Sequence, residues 1–414
     1  MPPSPLPEPP VRTRRKLPRL LRRLHQRFRD VTVESWRRYR APRAQAAYCD
    51  KFVAVTGSCG KTTATLLVER LLAATGAVVV GGRNHNAGRQ LLRTMAGLRR
   101  PADFVVQEVS GHEPGAIAKL TDYLRVDVAV VTSIGHDHST AFGVSYSEGP
   151  DAIAAEKVKL VEAVPPTGLA CLNADDPRVA AMAGRAKARV VTYGRSEGAH
   201  IRATNVSGRY PGRLRFDLEV DGRVIPVATR FVGTIMLPNV LAALAVVHGL
   251  GRDIAAAAAA LAEVEPEPQH MSVVEGASGR TWVLDTFKAP HWSTELLADD
   301  LAEIGGRGML FVLGDMSDMR NGSSRRYGSV TRKAAATADR VILCGGAGSA
   351  MARAQREGYG NVAAGADLAE VARLIAAAPE RLVILKANSK QHLERVVGLV
   401  EEAAATRATD THHD

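Results

Sequence analysis

The sequence predicts an α/β protein built from two units, and three observations carry that expectation. From residue 51 onward, short apolar, β-branched runs alternate with helical stretches. The turn Gly57-Ser58-Cys59-Gly60-Lys61-Thr62-Thr63 ends the first apolar run and opens an amphipathic helix. A second strand–helix series follows the proline-containing segment EPEPQ at 265–269. The pattern predicts a P-loop central domain with a mostly parallel sheet, then a smaller Rossmann-like α/β C-terminal domain. The expected bounds are 1–48 for a basic, partly disordered arm, 49–265 for the central domain, 266–405 for the C-terminal domain and 406–414 for a tail.

The arm holds most of the chain's charge. Net charge is +11 over 414 residues, and residues 1–50 carry 13 Lys/Arg against 4 Asp/Glu. The rest is close to neutral, so the whole chain does not read as a basic nucleic-acid binder. Residues 1–10 are proline-rich and expected to be disordered. Beyond them Leu17, Leu20, Leu21, Leu24, Phe28 and Val31 recur at three- and four-residue spacing among arginines, the pattern of an amphipathic basic helix. The plainer reading packs this helix on the neighbouring domain, with Trp36 and Tyr39 as anchors. The sharper reading brings residues 11–43 to a membrane surface or another polyanion. Nucleic acid has no recognition motif here. No apolar run reaches the ~18–20 residues of a membrane span, and no signal-peptide core is present. Cys49, Cys59, Cys171 and Cys344 form no CxxC pair. A reducing cytoplasm is expected, with peripheral contact at the inner membrane surface.

In the central domain, KFVAVTG, FVVQEVS, VDVAVVTSIG and GLACLNAD read as strands. LRFDLEVDGRVIPVATRF alternates about Asp221-Gly222 and reads as a hairpin. NVLAALAVVHGLGRDIAAAAAALAEV reads as helix, interrupted near Gly249–Gly251. The C-terminal strands are TWVLDT, GMLFVLGDM, RVILCG and RLVILKA.

The glycine turn carries the chemistry. A strand that ends in such a turn and opens a helix aims backbone N–H groups at one point, and the helix dipole adds positive potential. Gly57 to Thr63 therefore form a candidate phosphate cradle, with Lys61 reaching phosphate and the Thr62 hydroxyl reaching Mg²⁺. Glu108 and His138 close neighbouring strands at the edge where such sheets bind ligands. His112 and Glu113 stand beside Glu108, with a loop role about as well supported as substrate contact. A Cys59 thiol at a helix N-terminus beside Lys61 has the setting for a lowered pKa, against a plainer space-filling role. The terminal THHD reads as a loose tail.

These motifs, in this order, resemble the Mur ligases, ATP-dependent amide-forming enzymes of peptidoglycan-precursor synthesis. The short loop Gly57 to Thr62 is similar to theirs. QEVSGHEPGAI resembles their metal-binding glutamate segment, closest in the D-alanyl-D-alanine-adding (MurF-like) branch. TSIGHDHSTAFG places the metal histidine on His138. AEKVKLVEAVPPTGLACLNADDP places the family's carbamylated lysine on Lys157, with Lys159 as the competing position. GTIMLPNVLAALA places the adenine-contacting asparagine on Asn239, with Ile235 where a histidine is usual. LDTFKAPHWST places Asp285 and Lys288 near the γ-phosphate. FVLGDMSDM and VILKANSK resemble further C-terminal elements, and the likeness spans roughly residues 51–400.

The resemblance implies ATP, Mg²⁺, a carboxylate acceptor and an amine donor, joined through an acyl phosphate. It also implies a metal set of Thr62, Glu108, His138 and a carbamylated Lys157. The loop follows only about fifty residues, so a full UDP-binding domain, and a standard UDP-muramoyl peptide acceptor, are not expected. A non-ligase P-loop ATPase and a nucleotide-binding scaffold are the other readings.

Overall fold

The computed structural model describes residues 19–82, 88–136, 139–145, 147–305, 308–317 and 324–410. The helices used below are α1 (Arg19–Tyr48), α2 (Lys61–Ala74), α3 (Gly88–Gly97), α4 (Ala116–Thr121), α5 (Gly149–Glu162), α6 (Pro177–Ala180), α7 (Leu237–Gly249), α8 (Ile254–Ala260) and α9 (His291–Ile304). The first sheet contains β1 (Cys49–Thr56), β2 (Val79–Gly82), β3 (Ala102–Glu108), β4 (Val128–Val131), β5 (Leu169–Asn173), β6 (Arg189–Gly194), β7 (Ile201–Ser207), β8 (Arg215–Val220) and β9 (Arg223–Ala228). Its spatial order is β2-β3-β1-β4-β5-β6-β7-β8-β9. Pairing is parallel from β2 to β7 and antiparallel from β7 to β9.

The parallel strands read as unbroken apolar runs because helices cover both faces. On one face α2 and α7 bury Leu67, Leu71, Leu241 and Leu244 against Val53, Val55 and Val130. On the other, α3 and α5 bury Leu92, Met95, Ile153 and Leu160 against Phe52, Ala54 and Val105. α7 is apolar nearly all round and buried nearly throughout, as a helix enclosed by its neighbours must be. The hairpin β8–β9 turns at Asp221-Gly222, both with positive φ, the geometry a two-residue hairpin needs.

The second sheet contains β10 (Ser272–Glu275), β11 (Thr281–Asp285), β12 (Met309–Leu313), β13 (Arg340–Cys344), β14 (Val362–Gly365) and β15 (Leu382–Lys386), in the order β10-β11-β15-β12-β13-β14. Among the described strands of this sheet only β10 runs antiparallel to its neighbour.

α1 corrects the expectation for the arm. It continues through Pro42 to Tyr48. Trp36 and Tyr39 are not anchors: they are 50% and 61% exposed. Small residues, Ala41 and Ala44, make the buried contact instead. The Arg40 guanidinium donates to the carbonyls of Ala96 (2.8 Å) and Leu98 (3.2 Å), at the end of α3. The Gln45 amide donates to Arg125 O (2.6 Å) and accepts from Arg125 N (3.0 Å).

The two sheets meet through α9. Asp300 accepts from the Thr234 hydroxyl and from Ile235 N (3.1 Å), on the turn that leads into α7. Burial raises the Asp300 carboxyl from 3.8 to about 6; the Thr234 and Ile235 hydrogen bonds oppose that rise. Between about pH 4 and 6 the folded form thus holds more proton than the unfolded one, so this group's contribution falls as pH rises. Asp300→Asn removes that slope. Its stability relative to the parent is expected to improve by about 1 kcal/mol from pH 5 to pH 7 in urea titrations. A pH-independent difference would contradict this.

Candidate active site

The end of β4 shapes the glycine turn. Ser58 N donates to Ser133 O (2.8 Å), and Gly135 N donates to Ser58 Oγ (2.9 Å). The Thr132 hydroxyl donates to Cys59 O (2.5 Å). Two glycines are obligatory here. Gly57 has φ +145°, and a Cβ would lie 1.9 Å from Thr132 Oγ1. Gly60 has φ +79°, and its Cβ would lie 2.0 Å from Asn239 Oδ1. Asn239, buried at the start of α7, is therefore seated directly against the turn. α2 begins at Lys61, and the N–H groups of its first turn have no intrahelical acceptor.

Lys61 is 8% exposed. Its ammonium donates to Gly57 O (2.7 Å) and Ser58 O (3.3 Å). Among the described residues no carboxylate pairs with it. A buried cation held only by neutral carbonyls is placed to meet an anionic ligand.

Facing the turn are the strand ends of the second sheet. Asp285 and Lys386 are register partners on β11 and β15, and Lys386 Nζ contacts Asp285 Oδ2 at 2.6 Å. The same ammonium donates to Lys288 O (2.9 Å). The pair lies close enough to Cys59 to act on its thiol. Lys288 itself is exposed, with Nζ 5.9 Å from the Phe287 ring centroid. Lys386, in the VILKANSK segment, is a buried cation near the turn that the sequence does not single out as a site residue. Asp315, after β12, braces the next segment by accepting from Gly346 N (2.7 Å). The Trp292 ring covers Gly135, where a Cβ would come within 2.2 Å of it.

The Cys59 thiol does not take the lowered pKa that its setting at the helix N-terminus offered. Its side chain reaches solvent, but protein from both halves surrounds it. Burial pushes the thiol above its ordinary range, outweighing the downward pull of Lys386 and Lys61. The other three cysteines are buried. Alkylation of the native protein is therefore expected at Cys59 alone, slow at neutral pH and blocked by ATP. Fast labelling at pH 7 that ATP leaves unchanged would contradict both placements.

Glu108 ends β3, almost fully buried, in register with Val55 two residues before the turn. Thr62 stands in the first turn of α2. Lys157 is 1% exposed on α5. The adjacent Glu156 anchors α5 to the loop after Glu108: it accepts from Gly115 N and Ile117 N (both 2.9 Å). Burial alone would raise the Glu156 carboxyl, but the Lys159 hydrogen bond and these amides carry it below its usual range. Lys159 is thereby occupied at 2.6 Å from Glu156, on the partly exposed side of α5. Glu113 pairs with Lys119 at the surface. His138 and the terminal THHD fall outside the described residues. Among the described residues no three His, Cys, Asp or Glu side chains converge as a metal site.

The Mur ligase middle domain matches residues 55–247, and the Mur ligase glutamate ligase domain matches residues 270–389. The chain belongs to the Mur ligases. This Mur ligase is 31% identical over 290 residues to the UDP-N-acetylmuramoyl-tripeptide–D-alanyl-D-alanine ligase of Mycobacterium tuberculosis, covering 68% of this chain and 56% of that one. It is 31% identical over 320 residues to the same-named ligase of Mycobacterium leprae, covering 71% and 61%. The chain thus spans somewhat over half the length of these curated relatives. Its fold is shared with MurF of Thermotoga maritima in complex with ADP (TM-score 0.78, 21% identity, 90% of this chain and 84% of that one). MurF from Acinetobacter baumannii gives a TM-score of 0.77 at 22% identity, with 88% and 80% covered.

Proposed function

We propose that this Mur ligase is an ATP-dependent carboxylate–amine ligase that forms an amide through an acyl phosphate. The observation that carries the reading is the buried Lys61 ammonium, held among the described residues by loop carbonyls alone and sharing Cys59 as a neighbour with the Asp285–Lys386 pair.

The turn from Gly57 to Thr63 and the α2 N-terminus bind the phosphates. Asn239, seated on Gly60, meets the base. Lys61 and Lys288 neutralise charge as the γ-phosphoryl group passes to the acceptor carboxylate, and Asp285 holds Lys386 in place beside them. The amine then attacks the acyl carbon, and phosphate leaves.

The donor set suits Mg²⁺. Glu108 supplies one carboxylate and Thr62 one hydroxyl, and a shell completed by phosphate oxygens needs no larger protein cluster. His138 and a carbamylated Lys157 are the further proposed ligands. Bound Mg²⁺ would offset the triphosphate charge. α9, with Trp292 over Gly135, helps to cover the cleft and protects an acyl phosphate from water.

The acceptor is a carboxylate on an amino acid, peptide, polymer or lipid-linked carrier. The arm gives the enzyme a hold on an anionic membrane surface or polyanion, peripheral to the inner membrane. Among the described residues no helix is long and apolar enough to cross a membrane.

The test is hydroxylamine trapping with ATP across a panel of carboxylates. A carboxylate-dependent hydroxamate, formed with ADP, is expected. ADP release indifferent to carboxylate and amine would instead mark a P-loop ATPase. Tight ATP binding with no hydroxamate from any carboxylate would mark a scaffold.

A further inference from the structure

One face of the central domain has no part in the chemistry above, and it is built for anions. α1 and α3 lie side by side there. Two hollows open between them and the sheet edge. The larger, about 900 Å³, is lined by Val78, Val80, Gln90, Arg93, Arg99 and Arg100, with Glu69 as the acidic residue in its wall. The smaller, about 280 Å³, is lined by Trp36, Tyr39, Arg40, Arg43 and Arg99. Arg99 belongs to both, so they form one groove. Five arginines therefore meet one glutamate.

The arginines are set at fixed positions. Arg40 and Arg99 are braced on the last carbonyls of α3. The Arg43 guanidinium stacks on the Tyr39 ring at 3.7 Å, and Arg40 lies 5.9 Å from the Trp36 ring centroid. Each guanidinium carries five N–H donors, more than these contacts use. The Gln90 Oε1 is buried with no donor among the described residues.

Val33, Trp36, Tyr39, Arg40 and Arg43 share one helical stripe, and its apolar members are exposed. Val31, one turn earlier, is 65% exposed. A soluble polyanion gives no use for exposed aromatic and branched side chains. A lipid surface does, because Trp and Tyr settle at the headgroup boundary while arginines hold phosphate.

We propose that the α1–α3 groove is a docking site for anionic lipid headgroups, with phosphate held by Arg43, Arg99 and Arg100 and with Trp36 and Tyr39 entering the headgroup layer. The proposal rests on the reading that the arm meets an anionic membrane, and it adds a shaped site within the folded domain. α1 ends where β1 begins, and the phosphate turn lies at the other end of that strand, roughly 25 Å away. Docking by this face leaves the nucleotide cleft open.

The test is co-sedimentation of the full chain with vesicles of phosphatidylglycerol and phosphatidylcholine, against phosphatidylcholine alone. Preference for the anionic vesicles, weakened by salt, is expected. The double variant Arg43→Glu/Arg100→Glu keeps residues 1–30 and alters only exposed side chains. It should lose partitioning by roughly tenfold or more. Trp36→Ala should weaken binding several-fold. Neither variant should change ADP release with a soluble acceptor, which separates this proposal from the ligase reading. Wild-type partitioning in the double variant would overturn the groove and leave binding to the preceding arm. Equal binding to neutral vesicles, or binding to polyphosphate without binding to vesicles, would also overturn it.

Discussion

Lys61→Ala is expected to lower carboxylate-dependent ADP release about a thousandfold while the protein remains folded. Among the described residues the ammonium makes its hydrogen bonds only to Gly57 O and Ser58 O, and no carboxylate there depends on it. Removing it therefore strands no buried anion. The loop keeps its ties to Ser133 and Gly135. The loss should fall on turnover and nucleotide binding, with a melting temperature close to the parent's. A variant that turns over within tenfold of the parent would remove Lys61 from the chemistry.

Lys157→Ala is expected to be about as damaging, for a different reason. The side chain is long and almost fully buried on the face of α5 that carries Ile153, Leu160 and Val161. The proposed carbamate would turn that buried amine into an anion suited to hold a metal. Turnover should fall at least a hundredfold, with partial return on adding short carboxylic acids. Lys159→Ala is the control. It removes the ion pair with buried Glu156, whose carboxylate keeps the Gly115 and Ile117 amides, and should leave turnover intact. Full activity in Lys157→Ala would end the carbamate assignment.

The contrast between these lysines shows what the chain made legible. The resemblance set Lys157 ahead of Lys159, and the burial of Ile153, Lys157, Leu160 and Val161 on one face of α5 separates the two lysines. β1, its glycine turn and α2 were plain, because an apolar run, two glycines and an amphipathic helix follow one another directly. β2 was passed over: Val79–Gly82 is short and ends in two glycines, which weakens any strand pattern. β6, β7 and β10 were missed as separate strands, their alternation being too brief to stand out.

The interface between the two halves was not legible at all. Across it Asp300 meets Thr234 over 66 residues, and within the second sheet Lys386 meets Asp285 over 101. No local pattern encodes such partners. Trp36 and Tyr39 show the same limit, since a helix with two possible buried faces does not announce which one packs. Cys59 is a further case. The helix N-terminus and Lys61 were visible, but the second domain closing over the thiol was not, and burial decides its direction.

An acyl phosphate leaves an isotopic trace in the phosphate it releases. With an acceptor that forms hydroxamate, both carboxylate oxygens would be labelled with ¹⁸O and the full reaction run with ATP and amine. Transfer of one ¹⁸O to inorganic phosphate for each amide formed is the predicted result. Amide formation with unlabelled phosphate would contradict it.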